Sequence, residues 1–410
     1  MEIRPILSTL GRHKVTAWLV IIEIALTCAI VCNAVFLISQ RIERMNMVSG
    51  IAEHELVEIQ LANLGIRPDA RARTQEDLAA LRQLPGVTQV SLANQMPFSS
   101  SETNNSLKLD PTQKLPTLTV AMYWGENLAQ TMGTQLVAGR NLREDDFRDI
   151  DAVDKAAGAG DPNDKALPQV MVITRAVADK LWPGENPLGR LIYFGKTPET
   201  VVGVVAHLVR PRSLLQGAEF SFLVPIRSVA GDGSIYLLRT APEDRQRVLK
   251  AALAALKVLD PRRVVIEKRT FDDVRSEFFQ NDRAMTGLLV GVCVALLVVT
   301  ALGIVGLGSF WVAQRRRTIG VRRALGATRA NILHYFQTEN FLLATIGIAI
   351  GMVLAFAINL FLMLHYELPR LPGIYFPVGA VLLWSIGQLA VLGPALRAAA
   401  VPPVVATRSV

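Results

Sequence analysis

Cysteine, histidine and charge are all scarce in this chain. Its 410 residues include three cysteines, Cys28, Cys32 and Cys293, and all three fall in long apolar runs, so the exported part predicted below has no disulfide to use. The five histidines, His13, His54, His207, His334 and His365, are scattered, without the spacing of a metal site or of a nucleophile and its base. No Gly-x-x-x-x-Gly-Lys-Ser/Thr phosphate loop occurs, so nothing in these residues cradles nucleotide phosphates as that loop does. The acid-rich run Glu144, Asp145, Asp146, Asp149, Asp151 and Asp154 lacks the glycine and terminal glutamate of an EF-hand loop and reads as a solvated loop. These absences predict no catalytic residue, no metal site and no cofactor in this chain. Charged residues make up 19% and hydrophobic residues 51%, too apolar a balance for disorder or for a purely soluble protein.

The net charge of +8 is unevenly placed. Between Arg41 and Arg283 there are 31 basic and 31 acidic residues, so the surplus comes from the remaining 12 basic and 4 acidic residues. Those flank apolar runs, which marks membrane-adjacent charge and argues against a nucleic-acid face.

Four runs are long and apolar enough to cross a bilayer, which takes about 20 residues of helix. They are residues 16–40, 284–313, 341–364 and 375–396. The first is preceded by Arg12, His13 and Lys14 but is longer than a signal-peptide core, and it reads as an uncleaved anchor. Its one charge, Glu23, is expensive in lipid and marks a functional or inter-helix polar contact. Residues 314–336 carry Arg315, Arg316, Arg317, Arg322, Arg323 and Arg329 and no acid, whereas the turn 365–374 has only Glu367 and Arg370. Arginine-rich flanks prefer the cytoplasm. The prediction is therefore a multi-pass protein of the bacterial inner membrane, with both termini (1–15 and 397–410) cytoplasmic and residues 41–283 in the periplasm.

The fold class is a four-helix membrane protein with a large α+β periplasmic domain. Residues 54–62, 74–84 and 87–93 read as strand, helix and strand, and 234–240, 242–256 and 263–268 repeat that order, the second helix opened by Pro242. Two βαβ units thus build a membrane-proximal part (about 50–94 and 229–283) around an inserted, mainly β subdomain (about 95–228). Residues 271–283 are expected to continue as helix into the second span.

Within the cytoplasmic segment, Ile319, Arg322, Arg323 and Gly326 share one helical side by spacing. Such a helix either meets anionic lipid or docks a cytoplasmic motor subunit. The stretch Arg317, Ile319, Gly320, Val321, Arg322, Arg323, Ala324, Leu325, Gly326, Ala327 closely resembles the cytoplasmic signature of FtsX-type permeases of the MacB-like branch, with Thr318 where the family often has Glu or Gln. Glu339 matches an acid common at the start of the family's third span. The resemblance continues through Met132, Gly133, Leu136, Gly139, Arg140, Asp145 and Asp146, through Leu181–Gly189 and Val202–Val205, and through Pro394–Ala399 with Pro402 and Pro403.

The resemblance implies a permease subunit of a type VII ABC transporter acting by mechanotransmission. Arg317, Ile319, Gly320, Arg322, Arg323, Ala324, Leu325, Gly326 and Ala327 would couple it to an ABC ATP-binding subunit dimer that holds the ATP and Mg. Glu23 and Glu339 would be intramembrane polar contacts. The chain starts about 15 residues before its first span and so resembles members whose ATPase is a separate subunit. A second permease, identical or homologous, a periplasmic adaptor, a TolC-like outer-membrane duct and membrane lipid are the other implied partners. The implied cargo is a peptide, antibiotic, toxin or other periplasmic molecule. Two other outcomes share the four-span plan: FtsX-like control of a periplasmic enzyme, and Lol-like extraction of lipoproteins.

Overall fold

The computed structural model describes residues 14–62, 69–212, 217–231, 234–366 and 370–402. The expected cytoplasmic N-terminus up to His13, Glu367 in the short turn, and the tail from Pro403 lie outside the described residues. The chain divides into two compact units, Met1–Met45 with Asp282–Val410, and Asn46–Asn281. Among the described residues the first element of the first unit is helix α1, Lys14–Met45, five residues longer at its outer end than the expected span.

In the second unit, a tight turn at Glu53–Glu55 precedes β1 (Leu56–Ala62), so the strand begins two residues later than alternation alone suggests. Helix α2 (Ala70–Arg82) and β2 (Val87–Ala93) follow. The insert then runs through β3 (Asn104–Lys108), β4 (Leu118–Trp124), α3 (Leu128–Met132), β5 (Leu136–Gly139), β6 (Arg148–Asp149), α4 (Ile150–Ala159), β7 (Val170–Thr174), α5 (Arg175–Leu181), β8 (Leu191–Phe194), β9 (Thr197–Val205), β10 (Ser221–Val224) and β11 (Ile226–Arg227). The chain returns through β12 (Ile235–Thr240), α6 (Arg245–Leu259), β13 (Val264–Thr270) and α7 (Phe271–Phe278). Pro242 opens a tight turn, Pro242–Asp244, ahead of α6.

The first sheet has the order β13-β1-β12-β2, and every neighbouring pair in it is antiparallel. Each βαβ unit is therefore split by a strand of the other, a ferredoxin-like arrangement. Val57, Ile59 and Leu61 alternate onto one face of β1 and pack with Leu78 and Leu81 of α2 and Val248, Leu249, Ala252 and Leu256 of α6. Burying each such side chain contributes about 1.5–3 kcal/mol. The buried Asp77 of α2 accepts from the Tyr236 hydroxyl at 2.5 Å and from Arg263 at 2.7 Å, tying the helix to the sheet.

The insert forms a seven-stranded sheet, β5-β9-β7-β10-β4-β3-β8, with an added β8–β9 pairing. That pairing closes six strands into a ring. Residues Thr197–Thr200 of β9 pair with β8, and Gly203–Val205 pair with β5 along the same edge. Ile173, Ile192, Val201, Phe222 and Val224 fill the core together with Val177 and Leu181 of α5.

Two expectations are corrected here. The acid-rich run is not a plain solvated loop. It folds as a tight turn Glu144–Asp146, strand β6 and the first turns of α4, because its acids find arginines: Asp146 with Arg140 at 2.5 Å, Asp149 with Arg71 at 2.7 Å, and Glu144 with Arg227. Nor is the helix from Phe271 continuous into the second span. It breaks at Phe279, whose backbone sits at φ −92°, ψ 11° with its ring fully buried.

In the membrane unit, α8 (Gln280–Gln314), α9 (Arg316–Ala324), α10 (Arg329–Tyr366) and α11 (Tyr375–Ala399) are the remaining described elements. Helices α1, α8, α10 and α11 are long and apolar enough to span a membrane. Cys28, Ala29 and Cys32 of α1 meet Ala344, Ile348 and Ala355 of α10 and Ala380 and Leu383 of α11. Small side chains at such seams let helices approach closely where lipid offers no hydrophobic drive. Helix α8 is the least buried of the four. Polar contacts to α1 hold it: Asp282 with Arg41 at 2.6 Å, and Thr300 with Thr27 at 2.8 Å.

Candidate functional site

The arginine segment is built by two helix ends and one tight turn. Helix α8 stops at Gln314, and Arg315, at φ −102° and ψ 11°, turns the chain into α9. Helix α9 stops at Leu325 because Gly326 takes φ +97°, a conformation costly for any residue with a Cβ. The Gly326 amide donates to Arg323 O at 3.2 Å and the Ala327 amide to Arg322 O at 3.0 Å, a Schellman end. Thr328 then caps α10 by accepting from the Asn331 amide at 3.2 Å. The coupling segment expected over 314–336 is thus a short helix, a turn, and the first two turns of α10.

This geometry sorts the candidate residues into anchors and an outward face. Ile319 and Gly320 are buried, Ile319 among Val312, Ile332, Phe336, Ala395, Ala398 and Ala399. Arg323 also turns inward and donates to Ala399 O at 2.8 Å and Val401 O at 3.1 Å, where a cation suits the C-terminal end of α11. Ala327 packs against the same cluster. Arg317, Val321, Ala324 and Leu325 are exposed at i, i+4, i+7 and i+8, with Leu325 84% exposed. Arg322 is exposed and lies over the Tyr335 ring at 5.0 Å. The helical side expected from spacing, Ile319 with Arg322, Arg323 and Gly326, is therefore not one surface. Two of its members point into the protein, and Gly326 lies beyond the helix it terminates.

Arg316, Arg317 and Arg329 are exposed and form no ion pair among the described residues, leaving a basic, partly apolar outer face. Arg315, which spacing did not single out, is the main support beneath it. It donates to both Glu339 oxygens at 3.0 Å and lies 5.8 Å from the Trp311 ring. Glu339 is 1% exposed, so α8 and α10 are joined by a buried ion pair. The only hint of this in the sequence was an acid within an apolar run 24 positions after an arginine. Glu23 of α1 lies against Gly303 of α8, where a Cβ would come within 2.5 Å of its Oε1. Among the described residues no cluster of His, Cys, Asp or Glu is arranged to hold a metal ion.

Two family profiles match this architecture, the MacB-like periplasmic core domain over residues 24–256 and the FtsX-like permease C-terminal region over residues 290–403. The chain is 27% identical over 251 residues to the "Macrolide export ATP-binding/permease protein MacB" of Neisseria gonorrhoeae, covering 59% of this chain and 36% of that protein. It therefore spans about a third of that relative's length. It is 26% identical over 340 residues to the "Uncharacterized ABC transporter permease YvrN" of Bacillus subtilis, covering 79% of this chain and 82% of that one. Among solved structures, the periplasmic region of MacB from Actinobacillus actinomycetemcomitans is similar, with 20% identity and a TM-score of 0.36, covering 57% of this chain and 95% of that one. The chain is a multi-pass membrane protein with a periplasmic domain, and it belongs to the MacB-like, FtsX-type family of ABC transporter permeases.

Proposed function

We propose that this chain is a permease subunit worked from the cytoplasm by a separate ABC ATP-binding subunit, and that α9 is where the two meet. The observation that carries this reading is the division of α9 into a fixed inner side and a free outer one. Ile319, Gly320 and Arg323 clamp the helix to α8, α10 and α11, while Arg317, Val321, Ala324 and Leu325 stand clear. A helix held this way passes a push to the spans instead of bending away. With its arginine-bearing end on the cytoplasmic side of a bacterial inner membrane, and both termini there too, motion of α8 would reach the periplasmic domain.

ATP and Mg would be held by the partner, since these residues contain no phosphate loop. The chain itself would be non-catalytic and would work as one of a permease pair. The macrolide-export name of a relative supports export of a peptide, antibiotic, toxin or similar periplasmic molecule through an adaptor and an outer-membrane duct. The test is co-purification with the ATP-binding subunit. Leu325→Glu combined with Arg317→Glu should reduce recovery of the ATPase at least tenfold without changing thermal stability, and full recovery with normal ATPase stimulation would refute the docking face.

A further inference from the structure

Phe98 is both buried and conformationally strained. Its backbone holds φ at +62°, in the left-handed region that bulky residues seldom occupy, yet it is only 2% exposed. Such a residue persists where its surroundings over-determine it, and often where the strain has a use.

The surroundings here are specific. The rings of Phe271, Phe278 and Phe279 lie 6.0, 5.4 and 5.2 Å from that of Phe98. The Arg275 guanidinium sits 4.9 Å from the Phe98 ring and 5.4 Å from the Phe279 ring, and cations are drawn to aromatic faces. The same guanidinium donates to the Glu53 carboxylate at 2.6 Å and to the Met47 carbonyl at 2.8 Å.

Three stretches of chain with different destinations converge on this cluster. Met47 and Glu53 follow the end of α1 at Met45. Phe278 and Phe279 form the helix break that leads directly into α8 at Gln280. Phe98 belongs to the segment between β2 and β3, where the chain leaves the ferredoxin-like sheet for the inserted ring. A glycine would hold the backbone of residue 98 without strain, so the ring is what this position adds.

We propose that Phe98 and Arg275 form a joint that ties the start of the inserted subdomain to the two chain segments continuous with α1 and α8, so that displacement at the Phe279 break reaches the insert through Phe98. The joint rests on the mechanical reading of the family fold given above, and it supplies the route inside the outer domain that the reading needs. A merely structural aromatic plug would stabilise the domain without making β3 and β4 respond to changes at Phe279.

The test is a double-mutant cycle read by hydrogen–deuterium exchange on the full chain in lipid nanodiscs, without nucleotide or ATPase. Phe279→Leu should speed exchange on the order of tenfold in both 271–278 and 104–124. In a Phe98→Leu background, Phe279→Leu should still speed exchange at 271–278 but change 104–124 by less than about twofold. Where Phe98→Leu removes protection throughout the outer unit, Arg275→Lys takes its place in the cycle with the same expectations, because it keeps the charge and loses the planar stack. Unchanged exchange at 104–124 after Phe279→Leu, or an equal response in both backgrounds, overturns the joint. Since no ATPase is present, that failure leaves the docking proposal standing, and failure of docking leaves the joint standing.

Discussion

The ion pair between Arg315 and Glu339 gives a quantitative prediction. Glu339 is 1% exposed, and both of its carboxylate oxygens accept from Arg315 Nη1 at 3.0 Å. Among the described residues Arg315 Nη2 is buried without a partner, so the desolvation of the guanidinium is not fully offset. Removing one partner of a buried pair costs about 3–5 kcal/mol, because the other charge is left uncompensated. Glu339→Leu should therefore lower stability by about that amount, a shift on the order of a hundredfold or more in the folding equilibrium. Arg315→Met should cost about as much, plus roughly 0.5–1 kcal/mol for the contact with Trp311. The double variant Arg315→Met/Glu339→Leu should fall within about 2 kcal/mol of the parent, because a matched apolar pair replaces a buried ionic one at little net cost. The assay is reversible unfolding in mixed micelles with rising SDS fraction, followed by tryptophan fluorescence. Additive single effects, or single effects under about 1 kcal/mol, would refute the claim that this pair locks α8 to α10.

Three further outcomes follow from particular residues. Burial drives the Glu199 carboxyl well above its ordinary pKa, and among the described residues its Oε2 has no hydrogen-bond partner. The folded state therefore binds this proton more tightly than the unfolded one, so stability is fully present below the unfolded value and falls by up to about 1.4 kcal/mol per pH unit as pH rises through the window between the two values. Glu199→Gln should flatten that slope in urea melts of the protein taken across the window, and an unchanged slope would contradict the assignment. Gly303→Ala should change the stability of the bundle by less than about 1 kcal/mol, since the new methyl, 2.5 Å from the Glu23 Oε1 position, meets only the end of a flexible side chain that can swing aside, while alanine favours the helix. A loss above about 2 kcal/mol in the same micelle assay that Glu23→Ala reverses would contradict this, because Glu23 would then be held in place. Gly326→Ala should cost about 1–2 kcal/mol at its positive φ, whereas Leu325→Ala, on the exposed face, should leave the midpoint unchanged.

Local order was readable in the sequence and long-range partnership was not. The alternation of Val87–Ala93 delimits β2 to the residue, and the four apolar runs locate the four long helices, because burial and membrane solvation act on neighbouring residues. The interleaved order β13-β1-β12-β2 joins strands about 180 residues apart, and no local pattern encodes which strand sits between which. Closure of the insert through β8 and β9 is hidden for the same reason. At α9 the apolar and basic positions were visible, but their orientation was not. Arg323 points inward because the carbonyls at the end of α11 wait there, and Gly326 leaves the helix because only its backbone can reverse there. Glu339 could be marked as an acid in an apolar setting, while its partner Arg315 became evident only once the turn at Gly326 and Thr328 folded α10 back along α8.

The most direct test of the central claim is hydrogen exchange on the complex of this chain with its ATP-binding subunit, reconstituted in lipid and compared in ATP with vanadate and in ADP. The account predicts a nucleotide-dependent change at residues 271–279 and 95–124 of the outer domain that Leu325→Glu abolishes. Identical exchange in the two nucleotide states, or a change that persists when the α9 face carries that substitution, would contradict it.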